Sequence, residues 1–266
     1  MPPFPGSIAK FLASDSVFHR RHGVLTAFLA ERAGRPVGRV AAIINRSHNE
    51  YHKDRVGFFG FFECEDNPAT ASALLGKVTE TLLAAGMDAV RGPYNPSIND
   101  DCGILLNRFD QLPIIGLPWN PSYYSKLLED MGFQKARSLY TLNLPLHRLE
   151  PPERFARIVE HMKKRSKLKT RSMNIARLED ELVIVRDVYN ATLERNWGFV
   201  PISMEDLLAA AEDIRAIADP RLLLIGESEG RDASVAITLP NFNEILAATK
   251  NTPHWLRLLH IFILMK

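Results

Sequence analysis

The sequence predicts an α/β (α+β) chain of two domains, each a mixed sheet flanked by helices, and three observations support that. Strand-forming runs alternate with helix-period runs along the first half. After the break at Pro151-Pro152 a second, weaker series of the same kind follows. The stretch Leu29–Gly38 also has a faint copy at Ile225–Ser234, in which Glu31, Gly34 and Arg35 correspond to Glu227, Gly230 and Arg231. The domains are placed at 1–148 and 149–266, the second incomplete.

Val24–Glu31 and Val37–Asn45 are rich in strand formers and separated by Arg32-Ala-Gly-Arg-Pro36, which reads as a hairpin. Val56–Cys64 is a third strand whose four phenylalanines predict burial on both faces. Asn67-Pro68 supplies a cap and a first-turn proline for a helix to about Ala85, with Leu74, Leu75, Val78, Leu82 and Leu83 on one stripe and Gly86 as its stop. Met87–Arg91 is a short strand. Pro121 or Ser122 opens a helix ending at Gly132, and Ala136–Leu144 alternates as a last strand. In the second half, Glu153–Lys164 reads as a linker helix and Lys167–Met173 as a short strand. Leu178–Arg195 and Met204–Ala218 read as amphipathic helices, with Arg221–Glu227 and Ala233–Leu239 as a second hairpin.

Composition narrows the class without naming a substrate. With 46% hydrophobic and 24% charged residues the chain reads as a soluble globular protein, and a net charge of +2 points to no particular partner. Two cysteines, Cys64 and Cys102, form neither a disulfide framework nor a CxxC pair, which suits a reducing cytoplasm. Met-Pro-Pro-Phe-Pro lacks the features of a secretory signal. Trp255–Met265 is almost wholly apolar but shorter than the roughly 20 residues a membrane span needs. It reads as a buried helix or strand leading into further sequence, and no membrane partner is expected.

The densest polar chemistry lies between Arg91 and Phe133. Prolines, glycines, Asn and Asp make Arg91–Gly103 a long loop, and the apolar residues after it tie that loop down. Asn95, Ser97, Asn99 and Asp100 are the candidate pocket, closed by Asn120 and Tyr123. The bland alternative is that these side chains cap turns. Trp197 and Phe199, between the two later helices, are a second candidate grip, or else packing residues.

This element order, with the helix ending Leu127-Leu-Glu-Asp-Met-Gly-Phe133 and a final strand containing Tyr140, resembles the GNAT superfamily of N-acyltransferases. Gly57–Glu63, Arg91–Ser97, Asn99-Asp100 and Asn120–Tyr124 are similar to the YghO-like group of two-domain bacterial proteins, over most of residues 17–250. The resemblance implies two GNAT-like domains and acyl transfer from acetyl-CoA or another acyl-CoA to a small-molecule or peptide amine. The alternative is a non-catalytic module binding a small ligand on a degenerate version of the fold. At the position of the family's pyrophosphate loop this chain reads Glu63-Cys-Glu-Asp-Asn-Pro-Ala69, with three acids and no glycine. Leu128 stands where the family carries its general-acid tyrosine, with Tyr123 and Tyr124 one helical turn earlier. The resemblance therefore places any acyl-CoA signature beyond Lys266.

Other chemistries find less support. Lys163–Arg171 carries six basic residues, no acid and no interleaved aromatic, and reads as a solvated helix end rather than a nucleic-acid contact. His48 and His52 flank Asn49-Glu50-Tyr51, which is not a zinc-protease pattern, and are assigned to a loop between strands; no metal is expected. Oligomeric state is not legible.

Overall fold

The computed structural model describes residues 7–144, 152–215 and 217–264. By contacts the chain forms two units. The first is Met1–Ala136 with Trp197–Val200 and Asn241–Lys266; the second is Arg137–Asn196 with Pro201–Pro240. The sequence division at 148/149 assumes contiguous segments, whereas the contact units interleave.

The first unit is a mixed α/β arrangement on a four-stranded sheet of β1 (Gly23–Arg32), β2 (Arg35–Asn45), β3 (Val56–Cys64) and β4 (Ala89–Arg91), in that order. β1–β2 and β2–β3 are antiparallel and β3–β4 is parallel. A parallel neighbour needs a crossover, which α3 (Pro68–Ala84) supplies after α1 (Ser7–Leu12) and α2 (Arg46–His52). Asn67 caps α3 by accepting the amides of Ala69 and Thr70, as the Asn-Pro pair predicts.

Successive residues of β3 point to opposite faces, and both faces are covered. Phe59 and Phe62 pack with Leu74, Val78 and Leu82 of α3 and Leu127 of α4 (Tyr124–Asp130). Phe58 faces the other way, among Phe18, Ile43, Val56 and Tyr94. Phe58 and Phe59 are both fully buried, and burial of each side chain contributes about 3 kcal/mol.

Two expectations are corrected. Ala136–Leu144 is not a strand: it pairs with nothing in the sheets, and Leu139, Tyr140, Leu142 and Leu144 are exposed. Its alternation needs an edge to pair with, and β4 offers three residues. His48 and His52 lie not in a loop but on α2, which Asn45 caps by accepting the His48 amide at 2.9 Å. Lys53, in the left-handed region at φ 55°, ends that helix.

The second unit carries α5 (Glu153–Ser166), then β7 (Lys169–Ser172), α6 (Leu178–Leu193), α7 (Met204–Ile214), β8 (Leu223–Ser228) and β9 (Arg231–Ile237). Its sheet is antiparallel in the order β7-β8-β9. Met173, Leu182, Val185, Leu207, Leu223 and Ile225 form its core. Arg171 crosses the sheet edge to hold Glu227 at 3.0 Å and Glu181 at 2.9 Å. α8 (Phe242–Ala248) and α9 (His254–Leu264) belong to the first unit, and α9 covers most of the apolar run Trp255–Met265. Met265 and Lys266 lie outside the described residues, as does the composition change at Pro145 and the first proline of Pro151-Pro152.

Candidate functional site

β3 and β4 pair only as far as Phe58 and Arg91. Past that point the chain turns through Gly92-Pro93 and lies along β3 as β5 (Tyr94–Asn95), which pairs with β6 (Asp101–Cys102). The approach is close enough that a Cβ on Gly60 would stand 2.2 Å from the Tyr94 carbonyl oxygen. β3 bulges at Phe61, whose φ is 51°, and the Phe61 amide donates to Asn95 Oδ1 at 2.6 Å. Asn95 therefore fastens the loop to the bulge.

The other sequence candidates divide in the same way. Ser97 donates to Asp100 at 2.6 Å and accepts the Asn99 amide at 3.1 Å, closing a turn. Asn120 is buried, accepting the Leu105 amide at 2.7 Å and donating to the Pro121 carbonyl at 2.8 Å. Tyr123 donates to the Cys64 carbonyl at 2.8 Å, and Tyr124 accepts the Cys64 amide at 2.9 Å. Trp197 is different: its ring lies 5.3 Å from the Arg91 guanidinium carbon.

Around Arg91 the first unit gathers Trp197 together with Phe58, His48, Tyr94 and Asp54, which are not among the sequence candidates. The guanidinium lies between the rings of Phe58, at 5.9 Å, and Trp197, and no carboxylate pairs with it among the described residues. His48, 1% exposed, stands edge-on to Phe58, and Tyr94 stacks on the same Phe58 ring at 4.3 Å. Among the described residues neither ring nitrogen of His48 has a hydrogen-bond partner, nor do the Tyr94 hydroxyl and Asp54 Oδ1. The nearest acid oxygen, Asp54 Oδ2, is 3.6 Å from His48 Nε2. One helical turn on, the His52 ring lies 4.3 Å from that of His48 and is exposed, its Nε2 2.8 Å from the Phe199 carbonyl oxygen.

Burial governs the electrostatics of His48, Tyr94 and the two cysteines. Burial, then His52 and Arg91, lower the His48 pKa to about 4 against the opposing pull of Asp54. Burial raises the Tyr94 phenol. Burial, with Glu65 and Asp66, pushes the Cys64 thiol up to about 11, and burial lifts Cys102 to about 11 although Arg91 opposes it. Neither cysteine is therefore a thiolate nucleophile near neutrality. The exposed His52 imidazole, packed on the buried neutral ring of His48, can accept a proton in the neighbourhood of a guanidinium that no described carboxylate pairs.

The N-terminus of α3 is the natural place for an anion. Here Asn67 Oδ1 already holds the amides of Ala69 at 2.9 Å and Thr70 at 3.2 Å. Glu65, next to it, pairs with Arg32 at 2.7 Å. Among the described residues no group of three or more His, Cys, Asp or Glu is arranged to hold a metal ion.

Nothing in their own segments marks Asp54 or Arg91 as a site residue, and His48 reads only as one of a histidine pair outside any metal pattern. The one signal in the sequence was the separation of His48 and His52 by four residues, which on a helix puts two imidazoles on one face.

No family model and no solved structure matches the chain. Over 226 residues, 85% of this chain, it is 27% identical to Protein YghO of Escherichia coli (strain K12). Over 233 residues, 86% of this chain, it is 30% identical to the Bacterial ceramide synthase of Caulobacter vibrioides. These matches span 57% and 59% of the relatives' own lengths. The chain is thus similar to a YghO-like group of bacterial proteins, one of which is named a ceramide synthase.

Proposed function

We propose that the protein is an N-acyltransferase of the GNAT-like kind, moving an acyl group from a CoA thioester to an amine, with a long-chain lipid amine as the acceptor. The observation that carries the reaction class is the similarity to a protein named a ceramide synthase over 86% of this chain, since a ceramide is an N-acylated long-chain amine. The His48–Arg91 cluster is where the chemistry is assigned. The amine nitrogen attacks the thioester carbonyl carbon, the C–N bond forms, the C–S bond breaks, and the thiolate leaves to be protonated as CoA thiol. The proton lost by the attacking amine goes to the exposed His52, while buried His48 packs against it as a neutral ring. Arg91 stands by for the carbonyl oxygen as it gains charge.

The test is conversion of a long-chain amine to its amide with a long-chain acyl-CoA. His52→Gln is expected to lower the rate by about 100-fold or more while leaving the fold intact by circular dichroism. Full activity in that variant removes His52 from the mechanism, and absence of product with the unaltered protein removes the enzyme reading.

The second reading, a non-catalytic ligand-binding module, is favoured by the α3 N-terminus, whose amides and neighbouring acid are already engaged. It expects acyl-CoA to leave the melting temperature unchanged while a small anionic or amide ligand raises it, with Arg91→Ala abolishing the rise.

A further inference from the structure

We infer that α5 is a membrane-surface anchor that lies in the headgroup region of an anionic bilayer. Phe155, Ile158, Val159 and Met162 recur at helical spacing and make one apolar stripe. That stripe faces outward: Phe155 is 59% and Ile158 45% exposed. A globular helix normally turns such a stripe inward, because leaving it in water forfeits the burial that stabilises the helix. Upstream in the same unit, Leu139, Tyr140, Leu142 and Leu144 are exposed as well.

Charge decides which occupant suits the stripe. Between Glu153 and Lys169 the chain has seven Lys or Arg and two Glu. Both acids are already matched: Glu153 lies 3.7 Å from Arg157 and Glu160 3.4 Å from Lys163. The excess is therefore cationic, on and just after the helix. An apolar stripe flanked by Lys and Arg is the pattern that sinks into an acyl–headgroup boundary while its cations meet lipid phosphates. A helix of 14 residues is about 21 Å long, suited to lying in that plane, and no described helix is long and apolar enough to cross a membrane. The expectation of no membrane partner weighed spans and not surfaces.

The docking rests on α5 alone. Its value to the protein rests on the acyl-transfer reading, since a long-chain amine is itself held in a bilayer.

Flotation with lipid vesicles tests it. The chain is expected to rise with vesicles of equimolar phosphatidylglycerol and phosphatidylcholine, to stay behind with phosphatidylcholine alone, and to be released by high salt. The Phe155→Asp/Ile158→Asp variant should bind about tenfold or more weakly with an unchanged circular dichroism spectrum. If that variant loses its fold, Arg154→Glu/Arg157→Glu takes its place and should also fail to float. No flotation with anionic vesicles overturns the proposal, as does flotation that survives the substitutions. Self-association of the chain in lipid-free buffer that the same substitutions abolish also overturns it, because the stripe then belongs to a second copy. Acyl transfer to a detergent-dispersed amine is read separately, so loss of that activity with flotation intact rejects the enzyme reading and not the anchor.

Discussion

Tyr123 and Tyr124 grip both backbone groups of Cys64, one donating to its carbonyl and the other accepting its amide. Tyr123, which reads in sequence as a pocket candidate, and its neighbour Tyr124 thus fasten α4 to the end of β3. Tyr124→Phe leaves the Cys64 amide without its partner and is expected to cost about 1–3 kcal/mol, read as a lower urea midpoint with an unchanged slope. His48 has the opposite character, a polar group buried without a partner. Its pKa of about 4 lies below the ordinary 6.5, so folding favours the neutral ring. The stability this provides is fully present above about pH 6.5 and lost as pH falls through about 4, amounting to about 3 kcal/mol at most. Unfolding midpoints measured across that window should fall for the unaltered protein, and His48→Phe should flatten the slope.

At the level of elements, the faint sequence repeat has a counterpart in backbone geometry. The β1–β2 turn places Ala33 and Gly34 at φ 50° and 75°, and the β8–β9 turn places Glu229 and Gly230 at 53° and 77°. Both are two-residue turns with both residues left-handed, the form that suits strand twist. The register also slips at matching places, between Ala30 and Glu31 and between Gly226 and Glu227. Gly34→Val and Gly230→Val are therefore expected to cost similar amounts, about 1–2 kcal/mol each, measured by thermal or urea unfolding. A large cost at one turn and none at the other would mean that the likeness is superficial. The bulge at Phe61 has no equivalent signal in the sequence. It is created where β5 presses against Gly60, and Asn95 then satisfies the displaced amide.

For the whole molecule, the cores of the two units share no buried residue. Phe58→Ala and Leu182→Ala should thus destabilise additively, the double variant matching the sum of the singles to within about 0.5 kcal/mol. Local pattern was enough for the hairpins, for α3 with its Asn67 cap and for the two-sided burial of β3, because periodicity and turn chemistry act within a few residues. It failed for Ala136–Leu144, whose alternation matches a strand but whose pairing depends on an edge elsewhere, and β4 is too short to provide one. At the site the contacts are long-range. His52 meets the Phe199 backbone across 147 residues of sequence, and Arg91 meets Trp197 in the same neighbourhood. The sequence by itself determined the hairpins, α3 with its cap and the two-sided burial of β3, since those choices are local. Only the tertiary structure decided that the loop's Asn and Tyr side chains serve the backbone while His48, His52 and Arg91 converge, because burial and the absence of a partner are properties of surroundings assembled from distant segments.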